Sequence, residues 1–388
     1  SPIIKSLKKK MVWIGRNNMG FDTEEEFRNA SEEEKNLSHY QIMKRETKEA
    51  HEFKLLQYKK WFWEKQKKSL KKGEKVNKGF FKDKFTLSDQ KNMDNLQYLI
   101  EQNLINDADV VCCTLNISAK ATILNYNFDY VIIDEASQAD QLISLVPFIH
   151  NPKKLILLGD EKQLDASVPD QQLKKDHPIT STSLYVKLIN YKVTSEMLNQ
   201  QFRMNPYIAE FPNRLFYNNK IQCDQNLEER TKIDLVGLMT PIMFVDVKNG
   251  YEKKVCGTTY ENVEEANAVE IILNNLQKNE IPGKQIGVIT PYSGQSELLR
   301  PKIRQMKYRG IRVSCVDNFQ GTERDFIIVS LVRTNSRGRF GFITDENRIN
   351  VSLTRARKGL FIVGNLNAIE TSNNFGDRPM NNVLIKLC

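Results

Sequence analysis

The sequence predicts an α/β protein with two parallel-sheet domains in series. Short unbroken runs of β-branched and aliphatic residues, which are typical of buried parallel strands, occur between residues 109 and 158 and again between residues 241 and 364. A helical pattern at residues 262–279 separates strands of the second set. Two such domains in series place a cleft between them, and polar residues that follow the strands are the candidate site.

The length and composition of the chain limit which class of protein it can be. The 388 residues allow two domains, each with its own core. The chain has no apolar run of about 18 residues, so the sequence predicts no membrane partner, and Ser1-Pro2 does not begin a signal peptide. Six cysteines show no metal-site spacing, so we expect a reduced, intracellular protein of the cytoplasm or nucleus.

Residues 21–105 interrupt the α/β pattern. This stretch is rich in Lys, Glu and Gln and lacks proline, which predicts a helical insertion. Residues 54–84 hold 12 lysines against three acidic residues, an excess equal to the net charge of +9 of the whole chain. Such a run indicates contact with a polyanion, with a solvated helical face as the alternative. Aromatic residues 58–63 could stack on bases or form a small core. The candidate contacts are Lys65, Lys67, Lys68, Lys71 and Lys72.

Two adjacent acidic residues directly follow one of the predicted strands of the first half of the chain. Residues 131–133 are Val-Ile-Ile, which predicts a fully buried parallel strand, and Asp134 and Glu135 come next. Asp134 could hold Mg²⁺ through water, and Glu135 could orient and deprotonate a water that attacks a γ-phosphate. The alternative is a strand that ends in two solvated acids.

Further polar residues follow other strands of this half. A strand at residues 110–113 ends at Thr114, and a strand at residues 154–158 is followed by Gln163, which could sense a γ-phosphate. Arg203, in a later loop, offers a permanently charged, bidentate phosphate contact. In the second half, strands are predicted at residues 241–246, 286–292, 313–317, 326–330 and 360–364.

Six motifs, in order, resemble those of superfamily 1 helicases of the nonsense-mediated-decay and senataxin type. The resemblance covers residues 106–366, and its motifs lie at residues 131–138, 158–164, 201–206, 290–295, 316–323 and 350–357. It implies two RecA-like parallel-sheet domains in tandem, the first of them truncated at its N-terminus. The first would contain residues 1–20 and 106–236, with the insertion at 21–105, and the second residues 237–388.

The resemblance also implies roles for individual residues, with ATP and Mg²⁺ as cofactors. Catalysis would rest on Glu135, Gln163, Arg203 and the arginine finger Arg355. The nucleotide would contact Asp134 through Mg²⁺, Phe202 beside the base, Gly321 along the backbone and Glu323 at the ribose. The nucleic-acid strand would contact Thr114, Thr290, Tyr292 and Ser314.

The chain departs from the family pattern in three places. Leu164-Asp165-Ala166 replaces Leu-Pro-Pro, and Asn205 replaces a histidine. No Gly-x-x-x-x-Gly-Lys-Ser/Thr loop, which would hold the phosphates, occurs in residues 1–388. Since residue 1 falls where the strand after that loop would begin, we expect a truncation and an isolated chain that does not hydrolyse ATP.

The predicted function is that of a helicase or translocase core that couples ATP hydrolysis to movement on single-stranded RNA or DNA, with 5′→3′ polarity. The alternative is a nucleic-acid-binding remnant that has lost ATP hydrolysis and acts as a scaffold. The coding sequence upstream of Ser1 discriminates between them, because a phosphate-binding loop there supports the enzyme.

The lysine run yields a prediction about salt. Each lysine that neutralises a phosphate adds roughly 0.7 to the slope of log K against log salt for a single strand. Changing Lys65, Lys67, Lys68, Lys71 and Lys72 to Gln should therefore flatten this slope without altering sequence preference. Fluorescence anisotropy during a salt titration measures both quantities, and equal slopes for the two proteins would show that the run is a solvated face.

Overall fold

The computed structural model describes residues 11–14, 48–71, 85–166, 182–233, 240–335, 341 and 345–371. Its backbone contacts divide the chain into two compact units. Unit 1 comprises Ser1–Asp134 and Gln141–Leu157, and unit 2 comprises Glu135–Asp140 and Leu158–Cys388. The domain boundaries at residues 106 and 237 that the sequence suggested stay a prediction.

Unit 1 contains two pairs of parallel strands and a pair of long helices. Strand β1 pairs with β2, with Met11 opposite Val110, and β3 pairs with β4, with Tyr130 opposite Lys154. In chain order the elements are β1 (Met11–Ile14), α1 (Lys48–Lys71), α2 (Leu87–Asn106), β2 (Val110–Cys113), α3 (Ala121–Leu124), β3 (Tyr130–Ile133), α4 (Gln141–Leu145) and β4 (Lys154–Leu157).

The described part of the insertion is helical, as its composition predicts. Thr86 caps α2 by accepting a hydrogen bond from the Asp89 backbone, while the Asp89 carboxylate accepts one from the Thr86 backbone. Lys59 of α1 pairs with the same carboxylate at 2.9 Å. Buried residues of both helices, such as Phe53 and Ile100, form one cluster. The insertion is therefore packed as a helix pair.

The lysines proposed to contact a polyanion cannot all be placed. Lys65, Lys67, Lys68 and Lys71 belong to α1, but their side chains lie outside the described residues, as does the whole of Lys72. Their role stays a prediction.

Strand β3 corrects one expectation. The run Val131–Ile133 predicted a fully buried strand, but Ile132 is 60% exposed and Tyr130 is 59% exposed, whereas Ile133 is 3% exposed. Side chains of a strand alternate between the two faces of a sheet. On one face of β3, Ile133 is buried and Val131 is half-buried. On the opposite face, Tyr130 and Ile132 are exposed.

Unit 2 is organised around a parallel sheet of five strands, in the order β11 (Arg312–Cys315), β10 (Ile286–Thr290), β12 (Arg324–Ser330), β13 (Ala356–Gly364) and β7 (Ile242–Asp246). Its elements are α5 (Leu184–Asn190), β5 (Gln200–Gln201), α6 (Pro206–Phe216), β6 (Gln222–Cys223), α7 (Leu227–Arg230), β7 (Ile242–Asp246), β8 (Lys253–Cys256), β9 (Thr259–Glu261), α8 (Val263–Lys278), β10 (Ile286–Thr290), α9 (Ser293–Gln305), β11 (Arg312–Cys315), β12 (Arg324–Ser330), α10 (Glu346–Leu353), β13 (Ala356–Gly364) and α11 (Leu366–Thr371). The predicted α/β class with a parallel sheet is confirmed.

Helices cover both faces of this sheet. Ile289 and Ile327 pack with α6 and α10 on one face, while Val288 and Ile328 pack with α8 and α9 on the other. Every residue of β10 is buried. This two-sided burial explains why the strands appear in the sequence as unbroken apolar runs. The antiparallel hairpin of β8 and β9 was not predicted.

A buried polar network fixes the chain where it leaves β12. The Glu265 carboxylate accepts hydrogen bonds from the Ser330 hydroxyl at 2.7 Å and from the Val332 backbone at 2.8 Å. Asn262 donates to the Val332 carbonyl at 3.2 Å. Val332 has a φ of 71°, which is costly for a β-branched residue. These contacts therefore hold Val332 in a left-handed conformation.

No helix among the described residues is both long and apolar enough to cross a bilayer.

Glu265 makes the stability of unit 2 depend on pH. Burial raises the pKa of its carboxyl from 4.5 to about 7, so the folded state holds a proton that the unfolded chain loses. The stabilisation is complete below about pH 4.5 and is lost as the pH rises through about 7, by up to about 3 kcal/mol. Glu265→Gln should remove this dependence, which urea unfolding at about pH 5 and about pH 8 measures.

The matched control is Glu270→Gln, on the same helix, whose side chain pairs with Lys302 nearer the surface. It should keep the wild-type pH profile. Equal profiles for Glu265→Gln and wild type would show that Glu265 does not carry the effect.

Candidate nucleotide site

A cleft of about 710 Å³ opens in unit 2, within the range typical of small-molecule sites. It is built from the loop between β5 and α6, the end of α7 and the first residues of β12 and β13. Among its described lining residues, four are cationic and two are acidic, so the cleft favours an anion. The lining residues are Gln201, Phe202, Arg203, Met204, Arg230, Thr231, Glu323, Asp325, Arg357 and Lys358.

Glu323 ties two arginines together inside the cleft. Its carboxylate forms ion pairs with Arg203 Nε and with Arg357 Nη2. Burial alone would raise the pKa of Glu323, but the hydrogen bond with Arg357 and the charges of Arg203 and Arg357 hold it below its ordinary value. The carboxylate is therefore charged and accepts donors, as a contact with a ribose hydroxyl requires.

Phe202 and Gly321 have the local properties that their suggested roles need. The Phe202 ring is 56% exposed and lines the cleft, so one face can receive a planar base. Gly321 has a φ of 71°, which favours glycine, and no heavy atom lies within 4 Å of the position that a Cβ would occupy. Space beside its backbone is thus open to a ligand.

Gln201 holds the loop that carries Phe202 and Arg203, and the sequence analysis did not single it out. Its Oε1 accepts hydrogen bonds from the backbone of Arg203 at 2.9 Å and of Met204 at 2.8 Å. Its Nε2 donates to the Met204 carbonyl at 2.9 Å. The signal in the sequence was its position at the head of the motif at 201–206.

Asn205, which replaces the family's histidine, has a structural role. Its Oδ1 accepts a hydrogen bond from the Tyr207 backbone at 3.0 Å and so caps α6. Its own backbone N–H donates to the Arg357 carbonyl at 2.8 Å. The substitution thus preserves the start of the helix behind the cleft.

Glu135 sits in a strained turn. Its φ is 53°, which is uncommon for a residue other than glycine, and strain of this kind clusters at functional sites. Its Oε2 accepts hydrogen bonds from Gln138 at 2.9 Å and from Gln320 at 3.2 Å. The neighbouring Asp134, which belongs to unit 1, is exposed at the end of β3. Such a single carboxylate fits the water-mediated binding that Mg²⁺ commonly uses beside phosphates.

Gln163 and Arg355 lie together, although 192 residues separate them. Arg355 is 2% exposed and donates from Nη2 to Gln163 Oε1 at 3.4 Å and to Thr354 Oγ1 at 2.9 Å. Burial, together with the charge of Arg203, lowers the pKa of Arg355 to about 10. The guanidinium is therefore removed from water, and burying such a charge without an anionic partner costs free energy. An arginine that stabilises phosphate charge would have the same properties.

The suggested nucleic-acid contacts differ in exposure. Thr114 is exposed in unit 1, whereas the side chains of Thr290, Tyr292 and Ser314 are buried in unit 2. The Tyr292 hydroxyl accepts a hydrogen bond from Arg333 at 3.1 Å, and its ring packs edge-on against Tyr260. These three side chains do not present a surface in this structure, and their contact with a strand stays a prediction.

An anionic ligand with a planar group fits this α/β fold and its cationic cleft, which indicates a nucleotide-binding protein. Two family models, each described as an AAA domain, match residues 4–170 and 180–367. The chain is 36% identical over 288 residues to a "Regulator of nonsense transcripts 1 homolog" of Arabidopsis thaliana, which covers 72% of the chain and 23% of that protein.

It is also 35% identical over 300 residues to "Helicase sen1" of Schizosaccharomyces pombe, which covers 74% of the chain and 18% of that protein. The chain belongs to the superfamily 1 helicases of the nonsense-mediated-decay and senataxin type, and it spans less than a quarter of the length of either relative. A crystal structure of an arterivirus helicase, nonstructural protein 10, aligns at 15% identity and a TM-score of 0.34 over 66% of this chain and 42% of that one.

The burial of Arg355 leads to a prediction. In the full-length protein, Arg355→Ala should lower the kcat of nucleic-acid-stimulated ATP hydrolysis by on the order of 10³, as expected for an arginine finger. Strand affinity without nucleotide should barely change. Arg357→Ala is the comparison, because Arg357 pairs with Glu323 and is nearer the surface, and it should lower kcat much less than Arg355→Ala does. Steady-state hydrolysis by Arg355→Ala within about tenfold of wild type would assign the finger to Arg357 instead.

Proposed function

We propose that this chain is part of an ATP-dependent helicase or translocase that moves along single-stranded RNA or DNA. The observation that carries the proposal is the cleft in which Phe202, Arg203 and Glu323 lie side by side. Together they offer a ring face, a phosphate contact and a hydroxyl acceptor, which match the three parts of a nucleotide.

We further infer the tandem arrangement with a first domain of residues 1–20 and 106–236, an insertion at 21–105 and a second domain of residues 237–388.

The chemistry is hydrolysis of the γ-phosphate of ATP. Glu135 accepts the proton of the attacking water, and its strained turn and its contacts with Gln138 and Gln320 orient the carboxylate. Arg203 and Arg355 stabilise the charge that develops on the transferred phosphoryl group. Asp134 would hold Mg²⁺ through water, and the ion would neutralise charge on the phosphates.

Hydrolysis is coupled to movement through residues that sense the phosphate. Gln163 contacts Arg355, so loss of the γ-phosphate alters both side chains at once. The strand is held by Thr114, Thr290, Tyr292 and Ser314, with the lysine run on α1 as a further polyanion contact. Directed movement is 5′→3′, as the family resemblance implies. The rival function is a nucleic-acid-binding scaffold without hydrolysis.

The test compares the full-length protein with the 388-residue chain. Phosphate release with Mg-ATP and oligo(U) should be stimulated in the full-length protein and abolished by Glu135→Gln. The isolated chain should show no release above background, because hydrolysis depends on positioning the phosphates and the positioning loop is missing. Duplexes with 5′ or 3′ tails then report polarity, with displacement expected only from the 5′-tailed duplex.

Two outcomes would contradict this proposal. A full-length protein that binds strands yet releases no phosphate would support the scaffold. Release by the isolated chain that Glu135→Gln abolishes would show that residues 1–388 are catalytically complete.

A further inference from the structure

A closed ring of hydrogen bonds in unit 2 passes through the hydroxyl of Tyr217. The tyrosine follows the last residue of α6 and is half-buried. The ring joins the loop that carries Gln163 to the turn that carries Arg355. Its members are Tyr217, Asp160, Gln163, Arg355, Thr354 and Asn350.

One side of the ring orients Gln163. The Tyr217 hydroxyl donates to Asp160 Oδ2 at 2.7 Å, and Gln163 Nε2 donates to the same oxygen at 2.8 Å. The other oxygen of Asp160 accepts from the Lys162 backbone at 2.9 Å, which fixes the loop. Because Gln163 Nε2 is bound to Asp160, its Oε1 is directed to Arg355. The position of the Asp160 carboxylate thus sets the rotamer of Gln163.

The other side of the ring orients Arg355. Asn350 is completely buried in α10, and its Nδ2 donates to the Tyr217 hydroxyl at 2.7 Å and to the Lys162 carbonyl at 2.8 Å. The Thr354 hydroxyl donates a hydrogen bond to the Asn350 carbonyl at 2.8 Å. The same hydroxyl oxygen accepts a hydrogen bond from Arg355 Nη2 at 2.9 Å. A shift of Asn350 is therefore transmitted to the guanidinium through Thr354.

Tyr217 is suited to connect the two sides because one hydroxyl both donates and accepts. Burial and the nearby Asp160 carboxylate raise the pKa of its phenol, so it keeps its proton near neutral pH and stays a donor to Asp160. A phenylalanine would fill the same volume but would remove both bonds. The hydroxyl, and not the ring, closes the network.

Resting on the proposed function, we propose that Tyr217 is a positioning residue that couples the phosphate-sensing Gln163 to the arginine finger Arg355. When the γ-phosphate leaves, Gln163 and Arg355 lose the anion that both contact. Because the ring links the two side chains, they change conformation together. Tyr217 does not line the cleft and acts through Gln163 on one side of the ring and through Asn350 on the other.

The experiment is a double-mutant cycle in the full-length protein. Tyr217→Phe should lower the kcat of strand-stimulated ATP hydrolysis by about tenfold, as expected for lost hydrogen bonds at a positioned group. The KM for ATP should change less than about twofold, since Phe202, Arg203 and Glu323, the proposed contacts of the cleft with the nucleotide, lie outside the ring. In a Gln163→Ala background, Tyr217→Phe should lower kcat much less than in the wild-type background, because the path through Asp160 and Gln163 is already lost and only the path through Asn350 remains.

Tyr308→Phe is the matched control. Tyr308 is a half-buried tyrosine of the same unit whose hydroxyl donates to the Ile281 carbonyl, away from the ring. It should lose thermal stability comparably to Tyr217→Phe while keeping the wild-type kcat.

The outcomes separate this inference from the proposed function. Hydrolysis that depends on Glu135 but is unchanged by Tyr217→Phe would overturn the role of Tyr217 alone. So would effects of Tyr217→Phe and Gln163→Ala that simply multiply. Wild-type protein without Glu135-dependent hydrolysis would overturn the proposed function and the role of Tyr217 with it.

Discussion

Burial of both faces of the five-stranded parallel sheet is the constraint on which the rest of unit 2 depends. Helices α6 and α10 cover one face, and the same two helices carry or adjoin the residues of the cleft and of the ring. Ile208 and Phe211 anchor α6 in that core, while Ile349 and Val351 anchor α10. Packing energy therefore fixes the backbone positions from which Arg203, Tyr217 and Arg355 extend, and hydrogen bonds need only select their rotamers.

The buried polar groups on the two faces of the five-stranded sheet have different partners. On the α8 face, Glu265 is fully buried and serves the backbone at Val332, which leads away from the sheet. On the α6 and α10 face, the buried polar groups contact one another in a ring that reaches the cleft residues. Most buried polar groups of both networks are paired, although Asn350 Oδ1 accepts no hydrogen bond from the described residues. The second network includes Gln163 and Arg355, the proposed phosphate contacts.

Much of this architecture could be predicted from the sequence because it follows from local patterns. The strands of unit 2 are apolar runs, and the helix expected at residues 262–279 was found at Val263–Lys278, with Asn262 and Asn279 as its caps. The hairpin of β8 and β9 was missed because all four residues of Lys253–Cys256 are exposed and show no apolar pattern. The exposure of Ile132 was missed because a run of apolar residues does not show which faces of a strand are covered.

The sequence also suggested which residues gather at the candidate site, through the order of its motifs, but not how they contact one another. Nothing in the spacing shows that Gln201 holds the loop of Arg203, or that Tyr217 bridges Asp160 and Asn350. The two contacts of Tyr217 join residues that are 57 and 133 positions apart, and the packing of α6 against α10 brings Tyr217 to Asn350. Local propensity does not contain this information.

The charge arrangement of the cleft follows from the same packing. Arginines brought close together repel one another: burial is the main cause that lowers the pKa of Arg355, and repulsion from Arg203 lowers it further. Glu323 offsets this repulsion by pairing with Arg203 and Arg357 at once. The pairing holds the guanidinium groups of Arg203 and Arg357 in place, so an anion that bound them in the cleft would cost little side-chain entropy.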